Sequence, residues 1–292
     1  MDESSKIGVL GASSFVGECV IQLLRDNGRH IVAFSRSPHE GKAESEVTWL
    51  QLLPSVTPSR EVSPIKDWLC VAPIRALPQY FSLIEASNAR RVVALSSTSL
   101  LTKMDSSDQG ELALVRGLQA GEQALRTWAE ARGIEWVILR PTLIYKIGRD
   151  KNVTEILCFV RRWGFFPLLG QADGLRQPVH AEDVAMACVS ALTVPTAGNR
   201  TYNLSGGETL SYREMVCRVF SLVGKVPHLV TIPRWLFRLA VAALRLVPRY
   251  RHWTVEMAER MNRDLVFDHA DAARDLGFTP RPFRICREDL PT

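Results

Sequence analysis

Several kinds of feature are missing from this chain, and each absence narrows its class. No apolar run reaches the roughly 18–20 residues that a membrane-spanning helix requires. The six cysteines, Cys19, Cys70, Cys158, Cys188, Cys217 and Cys286, include no CxxC pair, and most sit inside apolar runs. That usage argues against a disulfide framework or a zinc ribbon; it reads as reduced, buried thiols in a cytoplasmic protein. Histidines and carboxylates form no tight ligand cluster, so no metal site is expected. There is no GxSxG elbow, no P-loop, no internal repeat and no low-complexity tract. The opening Met1-Asp-Glu-Ser-Ser-Lys6 is short and acidic, which is not the pattern of a secretory leader.

What remains is an ordinary globular composition. Of the 292 residues 46% are hydrophobic and 23% charged, enough to bury one large α/β domain or a domain plus a smaller lobe. The net charge of +5 is spread along the chain, apart from five arginines within residues 234–251. Such an excess suits anionic small ligands or an anionic lipid surface and is weak support for nucleic acid.

Strand and helix patterns alternate through the first two-thirds. Apolar strands are expected at 7–10, 31–35, 47–52, 68–72, 91–95 and 136–139. Helices are expected at 16–27, stopped by Gly28, and at 111–132, closed by Gly133. This order implies a Rossmann-type, doubly wound parallel sheet. Residues 1–165 are assigned to it, with part of 176–204 returning to it. Residues 166–292, richer in proline and glycine, are assigned mainly to a smaller C-terminal substrate lobe. Its helices are expected at 212–223 and 233–247. The lobe should lie over the C-terminal edge of the sheet, where open α/β sheets bind ligands.

Within this frame one turn carries chemistry. Gly11, Ser14 and Gly17 stand at a G-x-x-G-x-x-G spacing, with serine in the middle position, between the first strand and the first helix. Gly11 permits the tight turn, and Gly17 lets the helix pack closely. The helix N-terminus then faces a pyrophosphate. Ser13, Ser14, Phe15 and Val16 complete the cradle. A nicotinamide dinucleotide is therefore the expected ligand, with Ala72, Pro73, Ser96 and Pro141 at neighbouring strand ends as further contacts. The second strand ends in Ser35-Arg36-Ser37, where a carboxylate would suit the ribose of NAD. Arg36 suits a 2′-phosphate instead, so NADP is expected over NAD. The alternative for Arg36 is a plain surface arginine in a turn.

These segments together resemble the short-chain dehydrogenase/reductase superfamily, in its extended or atypical branch of sugar-nucleotide epimerases, dehydratases and reductases. The resemblance rests on the glycine turn 11–17, on Val92-Val-Ala-Leu-Ser-Ser-Thr98, and on Leu139-Arg-Pro-Thr-Leu-Ile-Tyr145. It rests also on Arg176-Gln-Pro-Val-His-Ala-Glu-Asp-Val-Ala185, and on Asp264-Leu-Val-Phe-Asp268 with Leu276-Gly-Phe-Thr-Pro280. The family implies a Tyr-x-x-x-Lys acid/base pair on the long helix and a Ser/Thr hydroxyl at the tip of the preceding strand. Aligning Ala120-Gly-Glu122 with the family's turn places Leu114 and Leu118 where tyrosine and lysine belong, and no tyrosine occurs between Tyr80 and Tyr145. Thr98 would be the remaining hydroxyl. Tyr145 is the candidate replacement acid, against the alternative that it only packs on cofactor or substrate. Lys103, Arg116 and Lys146 are further candidates to supply charge. His180 reads as a hinge between lobes or, less readily, as a catalytic group, with Asp183 capping the following helix. Asp105, Asp108 and Glu111 read as helix-start electrostatics.

The resemblance implies an NADP-dependent oxidoreductase or epimerase acting on a nucleotide sugar or similar polar carbonyl through an atypical site. Its alternative is a non-catalytic NADP-binding protein like the accessory subunit of respiratory complex I or the redox-sensing regulators. The arginine-studded segment 233–251 reads as a lobe helix over the cleft or, alternatively, as an interfacial helix for a membrane or larger assembly.

Overall fold

A computed structural model describes residues 6–36, 46–52, 64–104, 106, 108–233, 235 and 259–285. In chain order the first half comprises β1 Ile7–Leu10, α1 Phe15–Asp26, β2 Ile31–Ser35, β3 Val47–Gln51 and β4 Asp67–Cys70. It continues with α2 Phe81–Ala86, β5 Arg91–Leu95, α3 Ser99–Thr102, α4 Gln109–Glu130 and β6 Glu135–Pro141. Then follow β7 Ile144–Tyr145, α5 Val153–Trp163, β8 Phe166–Leu169, β9 Leu175–Arg176, β10 Val179–His180 and α6 Ala181–Thr193. The last elements are β11 Arg200–Leu204, β12 Leu210–Ser211, α7 Tyr212–Leu222, β13 Leu229–Ile232 and α8 Ala270–Leu276.

Seven strands form one sheet in the order β11-β6-β5-β4-β1-β2-β3, and every neighbouring pair is parallel. The expected strands and helices are all present where described, with ends shifted by a residue or two. The long helix starts earlier than expected, at Gln109, because the Asp108 carboxylate accepts from Glu111 N–H at 2.9 Å. The strand from Glu135 runs two residues past Leu139, since Arg140 and Pro141 pair with Asn203 and Leu204. Apart from Pro233 and Trp235, the helix expected at 233–247 lies outside the described residues.

Burial follows the pleat. Val9, Leu69, Val93 and Val137 point to one face, where α1 and α6 cover them. Their neighbours Leu10, Trp68, Val92 and Ile138 point to the other, under α4. A separate cluster joins α5, β8 and α7 into the second lobe, through Phe159, Phe166, Val216 and Phe220. α5 and β8, on either side of 165/166, share that cluster. α6 packs on the main sheet and β11 is its edge strand beside β6. No helix among the described residues is long and apolar enough to cross a membrane.

Candidate functional site

The turn after β1 is built on two close approaches. Gly11 has φ +82°, and a Cβ there would lie 2.5 Å from the Ala72 amide nitrogen. At Gly17 a Cβ would lie 2.4 Å from the Gly11 carbonyl oxygen and 2.6 Å from that of Ala12. Both glycines are therefore sterically required, and Ala72 lies against the turn. Gly17 N–H donates to Ser14 Oγ at 3.0 Å, so Ser14 caps α1. The amides of Phe15 and Val16, in the first helical turn, have no intrahelical acceptor. Ser13 is exposed beside them. These features fit a dinucleotide pyrophosphate: a cradle without Cβ atoms, open backbone donors, and the positive end of a helix. Arg36, exposed at the end of β2, accepts through its carbonyl from the Gln51 side-chain amide at 3.2 Å. Pro73 is exposed at the end of β4's following turn.

Next to the turn, a cavity of about 430 Å³ opens at the C-terminal edge of the sheet. Phe15 of α1, Ser97 and Thr98 after β5, and Thr142 after β6 form its sheet side; Tyr212, Met215 and Arg260 form its lobe side. Four cationic side chains line it, Lys103, Lys151, Arg176 and Arg260, against the carboxylate of Glu155. Glu111 draws two of these cations together. Lys103 Nζ lies 3.1 Å from its carboxylate, and the Arg260 guanidinium donates to the same oxygen. Burial pushes the Glu111 carboxyl up, but the Ser106 hydroxyl and the Arg260 and Lys103 charges outweigh it and leave the group below its usual range.

Arg176 is only 4% exposed. Its guanidinium donates to the carbonyls of Leu175 and Arg263 at 2.7 Å each and to that of Arg260, and it lies 5.6 Å above the Tyr212 ring. Burial lowers its pKa to about 10, which leaves it charged at neutral pH. The sequence contained Arg176 only as part of a lobe signature; its place on the cavity wall depends on the lobe folding over the sheet.

Thr98 lines the cavity, and its hydroxyl donates to the Pro141 carbonyl at 3.2 Å. Ser96 instead turns its hydroxyl inward, donating to Glu122 at 2.7 Å. Tyr145 does not line the cavity. It is 1% exposed, packs edge-on against His180 and Phe283, and donates to the Arg284 carbonyl at 3.3 Å. Successive strand residues face opposite sides, and Ile144 occupies the cavity wall, so Tyr145 turns into the lobe core. Tyr145 thus packs on His180 and Phe283 rather than on the cavity.

The other charge candidates also find structural partners. Lys146 Nζ donates to Cys19 Sγ at 3.1 Å, tying the loop after β7 to α1, while Arg116 is exposed on α4. His180 caps α6, its Nδ1 accepting from Glu182 N–H at 3.3 Å. Burial, with the nearby Arg281 charge, holds the imidazole pKa below its usual value and favours the neutral, accepting form. Asp183 is not the cap; its carboxylate accepts from Arg281 N–H at 3.0 Å and Nε at 2.8 Å. Leu118 is buried in the cluster beneath the sheet and Leu114 packs on it. Cys19, Cys70 and Cys188 are buried as expected, whereas Cys158 and Cys217 are only partly so; Cys286 and Asp105 lie outside the described residues.

Comparison with known proteins agrees with this architecture. The profile of the NAD dependent epimerase/dehydratase family matches residues 80–205. An uncharacterized protein, y4nG, of Sinorhizobium fredii is 29% identical over 169 residues, covering 57% of this chain and 41% of its own. The mitochondrial NADH dehydrogenase [ubiquinone] 1 alpha subcomplex subunit 9 of Arabidopsis thaliana is 28% identical over 184 residues, covering 59% and 44%. The chain thus spans less than half the length of these relatives. Among solved structures, MoeE5 in complex with UDP-glucose and NAD superposes with a TM-score of 0.69 at 20% identity, covering 98% of this chain and 96% of that one. The doubly wound sheet is the fold of this neighbour, and residues 80–205 resemble the NAD dependent epimerase/dehydratase family.

Proposed function

We propose that this protein binds NADP in the turn between β1 and α1 and a nucleotide sugar, or a similar anionic carbonyl compound, in the adjoining cavity. One observation carries the reading: Phe15 of the dinucleotide turn, Thr98 of the strand tip and Arg176 and Arg260 of the lobe wall a single cavity. The nicotinamide, when bound, supplies hydride chemistry. The chain's own residues hold and orient. The four cations suit a diphosphate, and the Thr98 hydroxyl suits a carbonyl or hydroxyl oxygen near the strand tips. Lys103, on the same wall, takes the place of the missing acid/base pair as the nearby source of positive charge. The likeness to MoeE5, whose structure holds UDP-glucose and NAD, supports this ligand class.

A second reading is a non-catalytic NADP-binding protein. The leucines at 114 and 118 favour it, because an aliphatic side chain can neither move a proton nor bind a ribose hydroxyl. The similarity to a complex I subunit supports the same reading.

Fluorescence titration of the purified protein with NADPH and NADH tests the cofactor assignment. NADPH should bind ~10-fold or more tightly, and Arg36→Asp should reverse the order. If neither dinucleotide binds, both readings fail. Calorimetric titration of the NADPH-loaded protein with UDP-glucose tests the cavity, and Lys103→Met should weaken that binding ~10-fold. Tight NADPH binding with no turnover of any sugar nucleotide supports the second reading over the first.

A further inference from the structure

The second lobe presents a surface that neither the turn nor the cavity uses. Trp163, the last residue of α5, is 52% exposed, and Val226, in the loop after α7, is 87% exposed. These two segments lie side by side. Lys225 Nζ donates to the carbonyls of Val160 and Arg161 at 3.3 and 3.2 Å, and Phe166 N–H donates to the His228 carbonyl at 2.9 Å. Arg161, Arg162, Lys225, Pro227 and His228 are exposed around the two apolar side chains. The Arg162 guanidinium lies 5.3 Å above the Trp163 ring. Val230, next to Leu229 on β13, is 36% exposed as well.

The charge of this surface has one sign. No aspartate or glutamate occurs from Ile156 to Ala172, the stretch that carries Trp163. None occurs from Met215 to Pro233 either, the stretch that carries Lys225, Val226 and His228. An ordinary solvated face mixes both signs and seldom leaves tryptophan in water. A bilayer with anionic headgroups satisfies both features at once, since indole rings settle at headgroup depth and cations lie on the phosphates. Nucleic acid would answer the cations and leave Val226 and Val230 in water.

We infer that this face of the second lobe docks peripherally on an anionic lipid surface, with Trp163 and Val226 at headgroup depth and Arg161, Arg162 and Lys225 on the phosphates. The inference is independent of the ligand proposed for the cavity.

Co-sedimentation of the full-length protein with vesicles tests it. Binding is expected to vesicles of phosphatidylcholine mixed with phosphatidylglycerol and not to phosphatidylcholine alone, and it should fall steeply with added salt. The double variant Arg161→Glu/Arg162→Glu should lose ~10-fold or more of that binding. Trp163→Ala should weaken it while leaving the salt dependence unchanged. Both variants should retain the wild-type thermal transition, because these side chains are exposed. Absence of binding to the anionic vesicles at low salt overturns the inference. So does equal binding to both vesicle types, or binding that survives the double charge reversal.

Discussion

Arg140 and Glu122 meet through two parallel hydrogen bonds, Nε to Oε1 at 2.8 Å and the terminal nitrogen to Oε2 at 2.5 Å. The Glu122 side chain is 2% exposed and also accepts from Ser96 at 2.7 Å and Arg126 at 2.8 Å. Its carboxylate therefore joins α4 to the ends of β5 and β6, the strand tips that carry Thr98 and Thr142 to the cavity. A buried charge is tolerated here because every lone-pair direction is used and the cation is delivered in the fork geometry that suits a carboxylate.

Replacing Glu122 by glutamine removes the charge and leaves Arg140 half-buried without a counterion. A loss of about 3 kcal/mol in urea unfolding is expected. The pH dependence has a definite sign. Burial pushes the Glu122 carboxyl up, but the Arg140 and Ser96 hydrogen bonds and the Arg140 and Arg126 charges bring it below its usual value. The folded-state pKa is thus lower than the unfolded one. The stabilisation is present above the unfolded carboxylate range, about pH 4.3, and is lost as pH falls through the folded value. The stability gap between wild type and Glu122→Gln should narrow on acidification. A gap that widens or stays constant would contradict this account.

Gly17→Ala should separate folding from dinucleotide binding. The added methyl would meet backbone oxygens of Gly11 and Ala12, which can give way only if the turn itself moves. Affinity for NADPH should drop by ~10-fold or more, with a stability loss of about 1–3 kcal/mol. Gly28→Ala is the control. Its φ is +62° and nothing lies within 4 Å of its Cβ, so it should cost about 1 kcal/mol through backbone strain and leave binding unchanged. Equal effects of the two variants on binding would show that the Gly17 contact does not shape the cradle.

The sheet was legible because local and global signals agree in it. Val92-Val-Ala-Leu reads as a strand buried on both faces, and that is where it lies. The glycine turn and Thr98 were legible because a motif fixes their place at a strand tip. Arg260 was not, since its arrival on the cavity wall comes from the chain crossing back over Gly174 and Arg176 rather than from any periodicity. Tyr145 misled for a related reason. Its chemistry suited an acid, but a two-residue strand aims alternate side chains to opposite sides, and that alternation put Ile144 on the cavity and the phenol in the core. Glu122 served in the sequence only to align a motif, and its role as the junction of three elements appears only when Arg140 and Ser96 converge on it.

Arg91, the first residue of β5, closes the end of α6. Its side chain is 3% exposed, and its Nη1 donates to the carbonyls of Ala191, Leu192 and Val194 at 3.0, 3.0 and 2.7 Å. Its Nε donates to Glu135 at 2.6 Å. A cation placed here satisfies carbonyls that a helix terminus leaves open and opposes the negative end of the helix dipole. Arg91→Met keeps much of the side-chain volume but strands two buried acceptors and a part-buried one, so a loss of about 3 kcal/mol is expected. Arg91→Lys retains a charge that reaches fewer of them and should recover part of that loss. Because α6 and α1 share one core on the same face of the sheet, the damage should spread beyond the mutated strand. Hydrogen exchange should quicken first at Ser190–Val194 and then in α1, while α5 and α7 keep wild-type protection. Uniform acceleration across both lobes would instead mean that Arg91 supports the whole fold rather than the end of one helix.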